Sequence, residues 1–149
     1  VDFIFLLSLM IIDGTDNVDY FIYKFNISKK DQKRLLFLNS FNFKKIKKEI
    51  FSEQNMNKVL YFNGREALLD IIYFKIFKSK IVDDNLINLI DIFKEKKIPE
   101  MTVKANILME KYNIPEGKQL GNILKAIEEV WINNNFKISD KEVQKIVSN

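Results

Sequence analysis

The fold class is decided by the stretch Arg65-Glu66-Ala67-Leu68-Leu69-Asp70-Ile71-Ile72-Tyr73-Phe74-Lys75-Ile76-Phe77. Its apolar residues cover nearly every side of a helix, which is typical of a central helix packed by several neighbours. Asp70 is its one acidic interior position. Such a carboxylate is either catalytic or satisfies a helix terminus or a nearby lysine, and the structural role is the more usual one.

Helix signals continue on both sides of this stretch. Ser28-Lys29-Lys30-Asp31 has the spacing of a capping box and predicts the start of one helix. A second short helix is predicted around Phe43 to Phe51, and Asp83-Asp84 predict the start of another. Since the chain has only four glycines and two prolines, we expect an all-α, irregular multi-helix bundle.

The sequence predicts one apolar and one basic set of side chains in two different segments. The helix after Asp84 carries an apolar stripe of Leu86, Leu89, Ile90 and Phe93. The segment before Phe51 carries a solvated basic face of Lys44, Lys45, Lys47 and Lys48.

The composition argues against several kinds of chemistry. The chain has no cysteine, which excludes disulfides and thiolate metal sites and makes the cytoplasm the expected location. It has no histidine, which removes the commonest general base and metal ligand. A net charge of +4 gives a mild preference for polyanions, although abundant Lys, Ile and Asn are also typical of an AT-rich genome. We expect no catalytic residue, metal site or cofactor in this chain.

The acidic segment Gly14-Thr15-Asp16-Asn17-Val18-Asp19 is the nearest approach to a catalytic motif. Metal-dependent phosphoryl transfer needs paired carboxylates, usually at a strand edge beside a glycine turn. Here no strand precedes the acids and no second glycine follows. We interpret the segment as a loop between helices.

The apolar run from Val1 to Ile12 predicts a buried helix rather than a membrane anchor. It has no basic region before it and is too short to span a bilayer, so no membrane partner is expected. A start in the middle of an apolar helix also suggests truncation. An unpartnered face of Phe3, Phe5, Leu6 and Leu9 would form a large apolar patch that seeks a protein.

The last third of the chain carries the most specific pattern. A short helix is predicted to end near Tyr112, followed by the turn Ile114-Pro115-Glu116-Gly117-Lys118 and a long helix. One face of that helix holds Leu120, Ile123, Leu124, Ile127 and Trp131. Free backbone N–H groups at the helix start, beside Lys118, predict a phosphate-binding position.

The last third resembles the bacterial CCA-adding tRNA nucleotidyltransferase and poly(A) polymerase family, and two earlier segments are similar to its α-proteobacterial branch in particular, so the resemblance covers nearly the whole chain. The resemblance is carried by collinear segments of the chain: Ile27-Ser28-Lys29-Lys30-Asp31-Gln32-Lys33-Arg34-Leu35, Leu60-Tyr61-Phe62-Asn63-Gly64-Arg65-Glu66-Ala67-Leu68-Leu69-Asp70, Lys104-Ala105-Asn106-Ile107-Leu108, Ile114-Pro115-Glu116-Gly117-Lys118-Gln119-Leu120-Gly121-Asn122-Ile123-Leu124 and Glu128-Glu129-Val130-Trp131. The chain departs from the family pattern at Ala105, Asn106 and Lys118.

The resemblance implies the helical, tRNA-gripping half of such an enzyme without its catalytic head. Residues 1–149 would be one helical domain, with body-like helices in 1–98 and a tail-like subregion in 99–149. Mg²⁺ and CTP or ATP would belong to the missing head, so whether this chain serves an enzyme stays open. The partner would be tRNA, recognised by shape and charge. The RNA-binding residues would be Lys104, Gly117, Lys118, Gly121 and Lys125.

Other interpretations stay open. The glycines could equally serve a tight helix connection. A separately encoded head would make the chain half of a split enzyme, and the N-terminal apolar helix could support self-association. Alternatively, the chain is a gene remnant that binds no RNA, a helical protein-interaction module, or an unrelated helical bundle.

Overall fold

The computed structural model describes residues 2–41 and 48–148, and within these ranges the chain is helical and contains no strand. The predicted all-α class is therefore confirmed. The α-helices are α1 (Phe3–Ile11), α2 (Asn17–Lys24), α3 (Lys29–Ser40), α4 (Glu53–Lys78), α5 (Asp84–Glu95), α6 (Ala105–Tyr112), α7 (Lys118–Asn133) and α8 (Asp140–Val147). A short 3-10 helix covers Lys48–Phe51. The predicted basic face of Lys44, Lys45, Lys47 and Lys48 lies outside the described side chains.

The chain folds as two compact units, Val1–Ile98 and Pro99–Asn149. Each unit has an apolar core of its own. The division falls between α5 and α6, in a segment without helical structure.

Helix α4 is the centre of the N-terminal unit, as its apolar sequence predicts. It packs against α1, α3, α5 and the short 3-10 helix, and it buries Leu60, Leu68, Ile71, Ile72 and Phe74. The helix begins at Glu53, twelve residues before the stretch from Arg65 on which the prediction is based. Gly64 instead interrupts it, with a φ of 82° that only glycine adopts without strain, so α4 consists of two helical halves.

Asp70 takes the structural role, although its partner differs from the expected lysine. The guanidinium of Arg34 on α3 donates to both carboxylate oxygens of Asp70, at 2.5 and 2.9 Å. Arg34 also bonds Asp2 at the start of α1, at 2.7 Å, and lies 3.4 Å from Glu66. The bonds to Asp70 raise the pKa of the Arg34 guanidinium. Arg34 on α3 thus forms ion pairs with the start of α1 and with α4.

Helix α1 is only half buried. Phe5 is enclosed and contacts the rings of Tyr73 and Phe77, so its predicted place in an exposed patch is wrong. Leu9 is partly buried against the same core. Phe3, Leu6 and Met10 face outward, so the helix is not the fully buried one that its sequence predicts.

The C-terminal unit is built from α6, α7 and α8. Its core consists of Leu108, Ile114, Leu120, Ile127 and Val143. The predicted apolar face of α7 is confirmed, with Trp131 also buried and its ring 4.9 Å from that of Phe136. Asn113, with a φ of 52°, ends α6 in the left-handed conformation typical of helix C-caps.

Candidate nucleic-acid interface

The turn between α6 and α7 has the predicted form. Gly117 is the N-cap of α7, with a φ of 142°, and provides no side chain to accept from the first-turn N–H groups. Helix starts of this kind carry unsatisfied donors and a partial positive charge. The turn can therefore present backbone N–H groups to an anion, beside the exposed Lys118.

Lys118 and Lys125 lie on the same outer face of α7. Seven residues correspond to two helical turns, which places the two Cα atoms about 10 Å apart along the axis. Both residues are exposed, and neither ammonium group has a hydrogen bond or ion pair within the described residues. The face therefore has two cations available to an external anion.

Lys104 stands on a different element, as the N-cap of α6. It is exposed, and its side chain contacts no carboxylate in the part of the chain that is described. The structure thus brings Lys118, Gly121 and Lys125 onto one helix face, while Lys104 belongs to the neighbouring helix of the same unit.

Neither predicted glycine is required by internal packing. A Cβ atom at Gly117 or Gly121 would meet no atom within 4 Å. Gly117 is needed for its backbone conformation, whereas Gly121 has ordinary helical geometry. A glycine inside a helix costs about 1 kcal/mol relative to alanine, so Gly121 leaves α7 less stable and its outer face open.

The C-terminal unit has no net charge. Residues 99–149 contain seven lysines and seven acidic residues, so the net charge of +4 resides in residues 1–98. One of the seven, Lys111, lies 3.7 Å from Asp140. Any attraction for a polyanion must therefore come from the local arrangement on α6 and α7, not from the field of the whole unit.

Two polar features of this unit were absent from the sequence prediction. Asn122 is exposed on the same face of α7, one turn after Lys118 and three residues before Lys125. Its spacing of four residues from Lys118 is the sequence feature that indicates a position on the same helix face. Ser139 and Glu142 form a capping box at α8, and the backbone N–H of Ser139 lowers the pKa of Glu142.

The described residues contain no group of three or more acidic side chains arranged to hold a metal ion. Gly14, Thr15 and Asp16 lie in the loop before α2, where Asp13 accepts hydrogen bonds from Thr15 and Asn17. The loop prediction is thus confirmed up to Asp16, whereas Asn17, Val18 and Asp19 already belong to α2. Among the residues described, no helix is both long and apolar enough to cross a membrane.

Comparison with protein-family models, with curated proteins and with solved structures finds no match to this chain. The function of the chain must therefore be inferred from its motif residues and from the geometry of α6 and α7.

Proposed function

We propose that this chain is a non-catalytic helical module that binds the sugar–phosphate backbone of tRNA. The α7 start would hold one phosphate through its backbone N–H groups and Lys118. Lys125 would contact a second phosphate farther along the same face, and Lys104 would add a third positive charge. The observation that carries the proposal is the combination of an uncapped helix start with exposed, unpaired lysines.

The open surface at Gly121 supports the same proposal. A backbone that lies directly on α7 needs room between Lys118 and Lys125, and glycine supplies it because no side chain stands there. Asn122 adds an amide that can donate to a phosphate or a 2′-hydroxyl. Recognition of this kind reads shape and charge, not base sequence.

The wider biological setting follows from the family resemblance and is part of the proposal. The chain would act in the cytoplasm as the tRNA-gripping part of a CCA-adding or poly(A)-adding enzyme. Nucleotide and Mg²⁺ would bind to a catalytic head, and a separately encoded head would restore activity in trans.

The test is tRNA binding by the purified chain over a salt series, with double-stranded RNA as the competitor. The variant Lys104→Ala/Lys118→Ala/Lys125→Ala should bind more weakly, and its logarithmic salt dependence should be shallower by about 2 to 3 units. The matched control is Lys137→Ala/Lys141→Ala/Lys145→Ala, which removes the same charge from exposed positions of the same unit.

Each result has a definite meaning. Loss of tRNA affinity in the first variant alone supports the α6–α7 site. Equal loss in both variants would mean that affinity follows charge alone and would reject the site. Absence of binding at low salt, by a chain whose circular dichroism is helical, would reject the RNA-binding function and favour a remnant or a protein-interaction module.

A further inference from the structure

Positive charge is concentrated in one segment of the sequence. Residues 20–48, between Asp19 and Glu49, contain nine of the 24 lysines and arginines and one of the 20 acidic residues, Asp31. The other residues hold 15 positive and 19 negative side chains, so the rest of the chain is acidic. An AT-rich genome raises the lysine content along the whole chain and does not separate the charges by position. The segment is therefore the part of the chain that attracts polyanions most strongly.

Three lysines of this segment lie on one face of α3. Lys29, Lys30 and Lys33 are exposed, and helix geometry places them within about 100° of one another. The fully buried Leu35 and Leu38 lie on the opposite side of the helix. Among the described residues, none of the three ammonium groups has a hydrogen bond or an ion pair. We call Lys29, Lys30 and Lys33 the α3 lysine face.

The one acid of the segment does not neutralise the α3 lysine face. The Asp31 carboxylate accepts a hydrogen bond from the Ser28 hydroxyl at 2.6 Å, and Asp31 lies on the side of the helix away from the face. Arg34 does not add to the face, because its guanidinium is bonded to Asp70 and to the start of α1. Three positive charges thus lie within little more than one helical turn.

The α3 lysine face lowers the stability of its own helix. Lys29 and Lys30 are the first two residues of α3, where the partial positive charge of the helix start disfavours cations. Lys33 lies four residues after Lys29, a spacing at which like charges repel. Ser28 and Asp31 compensate in part, as the N-cap and as a first-turn carboxylate. Side chains that weaken the element carrying them are expected where a surface serves an external partner.

We propose that the α3 lysine face is a second phosphate-binding surface, through which the N-terminal unit contacts an RNA backbone. The choice of RNA rests on the proposed function of the C-terminal unit. Lysine ammonium groups are point charges with three donors each, and they bind phosphate oxygens without reading the bases. The C-terminal unit has no net charge, so the N-terminal unit supplies the field that draws a polyanion to the chain.

An anionic membrane fits the α3 lysine face less well. Helices that bind membranes place a row of large apolar side chains beside their lysines, and this row enters the acyl region. The exposed large apolar residues of α3 are limited to Leu36, which is 44% exposed. One partly exposed leucine provides little apolar area to bury in lipid. A nucleic-acid backbone needs the positive charge alone.

The test is the affinity of the full chain for tRNA over a salt series. Lys29→Gln/Lys30→Gln/Lys33→Gln should lower the affinity roughly tenfold or more at about 0.1 M salt, and its logarithmic salt dependence should be shallower by about 2 to 3 units. Glutamine keeps a long side chain with a similar helix propensity, and it removes the charge repulsion. The variant should therefore melt at the wild-type temperature or above it.

Two control variants separate position from charge. Lys80→Gln/Lys94→Gln/Lys97→Gln removes the same charge from exposed positions of the same unit and should bind tRNA nearly as tightly as the wild type. Lys29→Arg/Lys30→Arg/Lys33→Arg keeps the charge of the α3 lysine face. It should keep both the affinity and the salt dependence.

A parallel measurement of Lys104→Ala/Lys118→Ala/Lys125→Ala distinguishes this inference from the proposed function. Loss of affinity in the glutamine variant of α3, without loss in the α6–α7 variant, would support the α3 lysine face and reject the site on α7. Unchanged affinity and salt dependence in the glutamine variant of α3 would overturn the inference, whatever the result at α7.

Other results would overturn the inference as well. Equal loss in the Lys80/Lys94/Lys97 control would mean that affinity follows the charge of the unit and not the α3 lysine face. Absence of tRNA binding at low salt by the folded wild type would remove RNA as the partner. Tighter binding to a DNA duplex than to tRNA would assign the surface to DNA, and binding to phosphatidylserine vesicles in place of tRNA would assign it to lipid.

Discussion

At the scale of single residues, Arg34 is the most consequential side chain of the N-terminal unit. Its guanidinium side chain is 13% exposed, and the Asp70 carboxyl is 8% exposed. Removal of the Asp70 charge leaves the Arg34 guanidinium with only the more exposed carboxylates of Asp2 and Glu66 as partners. We expect Asp70→Asn to lower the free energy of unfolding by about 2–4 kcal/mol, measured by urea denaturation.

The control for this prediction removes both charges. Arg34→Met/Asp70→Leu should be less destabilising than Asp70→Asn, because it leaves no buried charge and the carboxylates that lose Arg34, those of Asp2 and Glu66, are exposed. A single variant as stable as the wild type would contradict the assigned role of the pair.

A substitution at Gly121 tests RNA binding independently of stability. Gly121→Leu should leave the unfolding free energy equal or higher, since leucine favours helix and meets open space. It should also lower tRNA affinity by roughly tenfold, about 1.4 kcal/mol, if the RNA backbone lies on this face. Gln119→Leu, about 160° around the helix from Gly121, is the control. Unchanged affinity in Gly121→Leu would remove Gly121 from the site.

Individual contacts were less predictable from sequence than individual helices. Asp70 was expected to be satisfied structurally, yet its partner Arg34 lies 36 residues away. No local spacing encodes a pair that forms only when α3 packs on α4. By contrast, the cap at Ser28 depends on neighbours three residues apart, and its hydroxyl accepts from the Asp31 N–H as predicted.

At the scale of elements, Gly64 is the critical position of α4. Its backbone, with a φ of 82° and a ψ of 172°, is strained for any residue with a side chain. We expect Gly64→Ala to lower the unfolding free energy by about 1–3 kcal/mol. Gly121→Ala, where the backbone is helical, should instead raise it by about 0.5–1 kcal/mol. Equal effects at both positions would contradict the break at Gly64.

The capping box of α8 makes a prediction about pH. The pKa of Glu142 is lowered, first by the Ser139 N–H and then by its hydroxyl. Its contribution to stability is therefore present above the pKa of an unfolded glutamate and is lost as pH falls through the lower folded value. Glu142→Ala should melt at a lower temperature than the wild type at neutral pH, with the difference shrinking below about pH 4. Glu110→Ala is the exposed control.

Helices α2 and α8 are not predicted from the sequence, for different reasons. In α2, turn-forming residues at 13–17 hide the helical spacing of Val18, Phe21 and Ile22. The start of α8 is marked by the capping-box sequence Ser139-x-x-Glu142, which lies after the segments that resemble the nucleotidyltransferase family. Helix α5 is predicted correctly because the cap at Asp83 and the spacing of the four apolar stripe residues both indicate a helix in the same place. All four stripe residues are buried.

At the scale of the whole chain, the segment from Lys96 to Lys104 connects the two compact units without helical structure. Lys97 is exposed in this segment. Because proteases cleave exposed segments that lack regular structure, we expect limited trypsin digestion to cut first after Lys97. Mass spectrometry of the early fragments checks this. Earlier cleavage inside α4 or α7 would contradict the two-unit architecture.

The single tryptophan of the chain, Trp131, lies in the C-terminal unit, enclosed at 3% exposure and edge-on to Phe136. Its fluorescence emission therefore reports on the surroundings of one side chain of the C-terminal unit, while the far-ultraviolet signal averages over all the helices. If the emission maximum shifts to longer wavelength at a lower urea concentration than the loss of helix, the surroundings of Trp131 open before most of the helices unfold. The protein thus carries an intrinsic optical probe at a single, known position of its C-terminal third.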